Sequence, residues 1–272
     1  MHPTLTIDWG PLHLSASTYR VAVIVAALIV VVGTVLVAIR RGLPIARALT
    51  VVAAGAGGAV VGARLLGALN SGAPLLDRSF RAFAIGGALV GGVVAGAVAW
   101  RLYRRSPIPG GVVLDAAVLP AGLALGVART GCLCAGCCFG LPTHLPWGAR
   151  YPSGSNAHIA SLDSTDLLDQ LFGGPPPVHP VPVYDGGAAI IAAGVGWWVD
   201  RRLVRTGRLR PGSGAAAFLG TYAMARAAIE SVRYHPADPG LLGPLGWQVV
   251  FLTVAAACLT WMWAGHRARR FG

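Results

Sequence analysis

The chain has 272 residues, 55% of them hydrophobic and only 12% charged, with a mean hydropathy of +0.64. That balance excludes an ordinary water-soluble globular domain and a disordered chain. The formal charge of +12 does not point to nucleic acid, because the basic residues stand in short blocks at the ends of apolar runs without aromatic interleaving.

The composition predicts an all-α integral membrane protein, a bundle of about seven transmembrane helices forming a single transmembrane domain over 1–272. The 38 glycines, with abundant alanine, favour close helix approach where lipid supplies no hydrophobic drive for association. Residues 1–17 carry no basic region and no small-residue cleavage site ahead of an apolar core, so the first span is expected to act as its own insertion signal. Seven stretches are long enough to cross about 30 Å of hydrocarbon. They are 19–39, 46–69, 82–100, 112–131, 183–199, 214–232 and 247–265.

Arginines follow the first, third, fifth and seventh of these stretches and precede the second. With the N-terminus outside, all these blocks fall on the cytoplasmic side, as the positive-inside rule requires, and the C-terminus is cytoplasmic. The loop over 133–182, inserted between spans four and five, is then long enough for a small extracytoplasmic cap.

Five arginines do not flank spans in this way: Arg20, Arg64, Arg129, Arg226 and Arg233 lie within or at the outer ends of apolar runs. An arginine at a helix centre costs about 2.5–3.5 kcal/mol on insertion scales, so it faces a polar interior or snorkels to the interface. In YAMARAAIESVRYHP, Arg226, Glu230 and Arg233 recur at helical spacing and are expected on one face. The set reads either as a structural ion-pair ladder or as an anion site in which Glu230 orients guanidinium forks around a phosphate.

In HPVPVYDGG, Tyr184 fits an interfacial aromatic, His179 a loop or capping histidine and Asp185 an N-cap. GARLLGALN and AIGGALVGGVVAG read as helix-packing surfaces. RTGCLCAGCCFG places Cys132, Cys134, Cys137 and Cys138 at the end of the fourth span.

GARLLG, FAIGGALVGG, ARTGCLCAGCCFG, HPVPVYDGG and RAAIESVR occur in an order that resembles the prolipoprotein diacylglyceryl transferase family over nearly the whole chain. The resemblance implies a location in the bacterial plasma (inner) membrane and a central cavity open to the bilayer near the outer leaflet. It also implies transfer of the diacylglyceryl group of phosphatidylglycerol, or a related anionic phospholipid, to the lipobox cysteine thiol of a preprolipoprotein, with release of glycerol phosphate. Arg129 matches the arginine that opens the family signature, with Gly131, Gly136 and Gly140 as its glycines. Arg226, Glu230 and Arg233 match the late Arg-Glu-Arg set. His179, Pro180, Tyr184 and Asp185 match HPxxxY[DE], and Tyr19 stands for an N-terminal tyrosine. Arg64 falls in the GxR motif.

The chain departs from the family at its reactive positions. Ile85 stands where the family has a histidine before Gly-Gly, and Cys132 and Cys137 stand where it has Asn and Glu. The implied catalytic set is Arg129, Cys132, Cys137 and Glu230, and the implied substrate-binding set is Tyr19, Arg64, Gly136, Gly140, His179, Tyr184, Arg226 and Arg233. The acceptor is a lipobox protein or a small thiol, and that reading requires no metal or soluble cofactor.

The thiols themselves leave four readings open. They are helix-end packing, a soft-metal site with His144 as a further ligand, a Cys134–Cys137 redox pair, or participation in lipid transfer. The alternative function is a membrane thiol-redox, thiol-carrier or soft-metal-binding protein on the same fold. Cys258, alone in the seventh span, reads as packing.

Overall fold

In hydrocarbon each backbone N–H and C=O must be satisfied within its own segment, so long Val-, Ile-, Leu- and Ala-rich runs become helices. The computed structural model describes residues 4–9, 12–71, 85–102, 109–152, 155–163, 176–235 and 243–270. A β-hairpin pairs β1 (Thr4–Trp9) antiparallel with β2 (Leu12–Ser17) and leads into α1 (Thr18–Arg40). The other helices are α2 (Ile45–Ser71), α3 (Ile85–Leu102), α4 (Gly111–Ala135), the short α5 (Asn156–Asp163), α6 (Val181–Val199), α7 (Ser213–Glu230) and α8 (Pro244–Arg270).

Each of the seven expected spans corresponds to one long helix, with ends shifted by only a few residues. Among the described residues four helices are long and apolar enough to cross a membrane: Thr18–Arg40, Ile45–Leu69, Gly111–Ala135 and Pro244–Arg267. The helix α3 is apolar over Val90–Leu102. The helices α6 and α7 carry charged residues within their length, Asp185 in α6 and Arg226 and Glu230 in α7. The architecture is that of an all-α integral membrane protein.

Burial is inverted relative to a soluble domain. Large aliphatic side chains such as Ile24, Leu28, Val90, Leu123, Ile191 and Leu252 lie on the outside, while the interior holds alanines, glycines and buried charges. Outward side chains of that kind suit lipid, and small residues inside allow backbones to touch. The helix α4 is central, packing on α1, α6 and α7, while α2 pairs with α3 and α8 with α7. At the α2–α3 contact a Cβ on Gly91 would come within 2.9 Å of Gly62 Cα and clash with the Gly58 carbonyl. The small-residue spacings noted in the sequence are therefore packing surfaces.

At the start of α4, Asp115 accepts hydrogen bonds from the backbone N–H of Gly212 at 2.7 Å and Ala215 at 2.9 Å, satisfying the first turn of α7. Asp200 opens a π-helical turn (Asp200–Val204) and accepts from Arg41 at 3.1 and 2.8 Å and from Arg205 at 3.2 Å. This fork-to-fork pair joins α1 to α6. Beyond the opposite end of α4, isolated bridges connect Gly140 with Arg233, and Val178 with both Pro142 and Ala149. Ile85 begins α3.

Candidate functional site

The site is built where α4 stops. Gly136 takes a left-handed conformation (φ 66°), which ends the helix and lets the Gly136 and Cys137 N–H groups cap the last carbonyls. Cys138 also has positive φ (58°), which is unusual for a residue with a Cβ and costs of order 1–3 kcal/mol. The two turns fold the chain back on itself. As a result the sulfurs of Cys132, Cys137 and Cys138 all lie within 4.8 Å of one another. All five cysteines are free thiols.

Two of the readings left open for the thiols involve residues outside this group. The structure pairs Cys137 with Cys132 and Cys138, not with Cys134 in a C-x-x-C couple, because the turn at Gly136 reverses the chain between them. Neither Cys134 nor the exposed His144 belongs to the group. Hydrogen bonds from Cys132 and Cys137 hold the Cys138 thiol well below its ordinary range, helped by Arg129 and Arg233. Donating to those neighbours pushes Cys137 up. Burial, reinforced by the cysteines, pushes the Tyr151 phenol up to about 12, and its hydroxyl has no hydrogen-bond partner among the described residues.

An ion-pair chain runs from the thiols into the bundle. Arg129 points one guanidinium nitrogen at Cys132 Sγ, 4.0 Å away, and another at Asp185 Oδ2, 2.7 Å away. Asp185 Oδ1 lies 3.5 Å from Arg226 Nε and accepts the Tyr222 hydroxyl at 3.0 Å. Arg226 Nη1 then meets Glu230 Oε2 at 3.1 Å, and Arg233 Nη1 lies 3.9 Å from the same oxygen. Three arginines thus share two carboxylates, leaving a net positive charge. Asp185, Arg226 and Glu230 are all buried.

The chain of charges is not saturated. Arg226 Nη1 and Glu230 Oε2 are close but off the hydrogen-bond axis, and Arg129 Nε is buried without a partner among the described residues. Buried donors of this kind normally have an acceptor. Beside Arg129 lies a cavity of about 350 Å³ between α4 and α6, whose other walls are apolar, including Leu123, Val127, Leu133 and Ile190. Glycines permit this: a Cβ on Gly186 would sit 3.4 Å from Arg129 Cβ.

Asp185 is not the N-cap expected from its place near the span start. The chain enters α6 through Pro180, with Pro182 in the first turn, so Asp185 falls inside the helix. Arg233 is likewise off the expected helical face, because α7 ends at Glu230. It is placed by its bridge to Gly140. A Cβ on Gly140 would lie 2.6 Å from His179 Cβ and 2.9 Å from Val181 Cγ2, so only glycine lets the three segments meet.

His179 lies in this junction, its carbonyl accepting from Gly140 N–H at 2.9 Å. Its Nδ1 is 3.2 Å from the Tyr184 hydroxyl, which accepts from Trp147 Nε1 at 2.8 Å. With its oxygen already accepting, the Tyr184 O–H is available to donate to His179. Tyr19 is half-buried at the start of α1, whose backbone passes within 3.3 Å of a Cβ built on Gly131. Arg64 is half-buried on α2, and Arg20 is exposed on α1.

Two members of the constellation were not singled out in the sequence. Tyr222 lies four residues before Arg226, on the same helical face, which a search for polar i, i+4 partners would find. His235 hydrogen-bonds Glu230 Oε1 through Nε2 at 2.8 Å and the Arg233 carbonyl through Nδ1 at 3.1 Å. Its signal is weak, because it lies beyond the end of the helix.

A multi-pass helical bundle with an ion-paired arginine chain buried at one end defines a polytopic membrane protein whose interior is built around charge. The chain belongs to the prolipoprotein diacylglyceryl transferase family, whose profile matches residues 6–264. It is similar to a phosphatidylglycerol–prolipoprotein diacylglyceryl transferase of Leifsonia xyli subsp. xyli, 31% identical over 59% of this chain and 43% of that protein. A protein of the same name from Clostridium tetani is 26% identical over 54% of this chain and 52% of its own length. The chain spans about half the length of the curated relatives it matches.

Proposed function

We propose that the protein is a membrane lipid transferase that moves the diacylglyceryl group of phosphatidylglycerol, or a related anionic phospholipid, to a thiol acceptor. The observation that carries this reading is the chain Arg129–Asp185–Arg226–Glu230–Arg233, which ends at the apolar cavity beside Arg129. A phosphate engages the unsatisfied arginine donors, and the lipid body takes the apolar walls. Attack by a thiolate on the glyceryl carbon forms the C–S bond as the C–O bond to phosphate breaks. The electron pair leaves on the phosphate oxygen, where arginine charge stabilises it.

In this reading the N-terminus is outside, the C-terminus cytoplasmic and the site near the outer leaflet. Residues 133–182 form the extracytoplasmic cap of a single transmembrane domain over 1–272. The acceptor is a lipobox protein or a small thiol. The arginine-rich loops support this orientation.

Expression in a strain depleted of its own transferase tests the reading. Restored growth and lipoprotein processing are expected, and failure by well-expressed protein removes lipoprotein maturation as the function. The sulfur cluster favours a second reading, a thiol-redox or thiol-carrier protein. Mass spectrometry of the cysteines under oxidising and reducing conditions tests it, and free thiols in both would sink a disulfide cycle.

A further inference from the structure

We propose that Cys132, Cys137 and Cys138 form a three-thiolate zinc site whose open fourth position binds the acceptor thiol and converts it to the attacking thiolate. The role of the ion in transfer rests on the lipid-transferase reading above; the binding of zinc does not.

The geometry carries the site. Three sulfurs on a tetrahedral zinc, with bonds of about 2.3 Å, stand about 3.8 Å apart. Here all three lie within 4.8 Å of one another, so closing around an ion needs a contraction of about 1 Å or less. The cluster is assembled by two consecutive left-handed turns, at Gly136 and at Cys138. A cysteine held in that conformation directs its sulfur at the other two at a backbone cost that packing alone does not require. Cys134, two residues from Cys132, is left out.

Among the described residues three ligands stand together without a fourth, which is the pattern of a zinc ion that works on a bound ligand, whereas a purely structural ion is closed by four. Charge fits as well. Zinc with three thiolates carries one net negative charge, and the neighbouring Arg129, Arg226 and Arg233 with Asp185 and Glu230 carry one net positive charge. Arg129 touches both groups, at Cys132 Sγ and at Asp185.

The site also supplies what the carboxylates do not. Asp185 is engaged by Arg129, Arg226 and Tyr222, and Glu230 by Arg226, Arg233 and His235, so both carboxylates are committed to partners within the bundle. A thiol that coordinates zinc loses its proton outright, here to solvent water. The bound sulfur then attacks the glyceryl carbon and the phosphate leaves with the electron pair. No oxidant or reductant enters the step.

The test uses the full-length protein, purified reduced in detergent, reconstituted with Zn²⁺ or Co²⁺ and dialysed before metal analysis. The expected result is about one zinc per chain for the unaltered protein and for C134S. C132S, C137S and C138S should fall roughly tenfold or more. In the Co²⁺ form, a cysteine-containing acceptor peptide should change the thiolate charge-transfer band, and its serine counterpart should not.

Reduced, folded protein that takes up no metal overturns the proposal without reference to any variant. Loss of metal in C134S equal to that in C132S overturns the assigned ligands. An identical response to both peptides overturns the open position. Lipid transfer at an undiminished rate by metal-free protein removes zinc from the reaction and leaves the transferase reading intact. Bound zinc in a protein without transfer activity does the reverse.

Discussion

Asp185 organises the site more than any other single residue. It is almost wholly buried and joins α4 to α7 by accepting from Arg129, Arg226 and Tyr222. Removing one partner of a buried ion pair leaves an uncompensated charge, at a cost of about 3–5 kcal/mol. Asp185→Asn is therefore expected to lower stability by that order in detergent thermal unfolding, while Asp185→Glu retains most of it. Arg226 stacks over Phe251, 5.4 Å from the ring centroid, while facing two carboxylates. Arg226→Lys keeps the charge but loses the planar fork, and should weaken phosphatidylglycerol binding roughly tenfold. Binding to vesicles of phosphatidylglycerol against phosphatidylcholine measures that loss, and equal binding by both forms would remove Arg226 from the headgroup site.

Among elements, the junction of the segments that follow α4, precede α6 and follow α7 is set by backbone contacts. Gly140, Leu141, His179 and Arg233 exchange hydrogen bonds or bridges across three segments far apart in sequence. Gly140→Ala places a methyl group against Val232 O and His179 Cβ, and such overpacking costs about 1–3 kcal/mol. The expected sign is faster limited proteolysis within 141–152 with the transmembrane helices intact. The signature glycines were legible in the sequence, but their reasons differ. Gly136 supplies a left-handed turn, Gly140 a three-way close approach, and Gly131 the contact with Tyr19 and Ala22 of α1. Spacing alone does not separate those roles, because each depends on a partner segment.

At the scale of the whole molecule, α4 separates two charged layers. One is the Arg129–Asp185–Arg226–Glu230 chain beside the thiols, and the other is the Arg41–Asp200–Arg205 cluster with Asp115 at the helix's opposite end. A cavity of about 330 Å³ lies in this second layer, with Arg40, Arg41, Arg201 and Arg205 among its walls. Asp200→Asn should cost stability by about 3 kcal/mol, because Arg41 loses its bidentate partner. Lipid binding at the distant site should be unchanged once the protein is folded. A matched loss of both would show that the two layers act as one.

The seven helices, the small-residue packing and the family were legible in the amino-acid sequence, because hydrophobic length, glycine spacing and motif order are properties of the chain itself. So were most of the charged residues of the site, since an arginine inside an apolar run is costly wherever the chain goes. Which carboxylate each arginine meets was decided only in three dimensions. Asp185 reads locally as a helix cap and becomes the central acceptor because α6 packs its buried face against α4 and α7. The grouping of Cys137 with Cys132 and Cys138, in place of the adjacent C-x-x-C pair, arises in the same way. It depends on the left-handed conformations of Gly136 and Cys138, which spacing in the sequence does not specify.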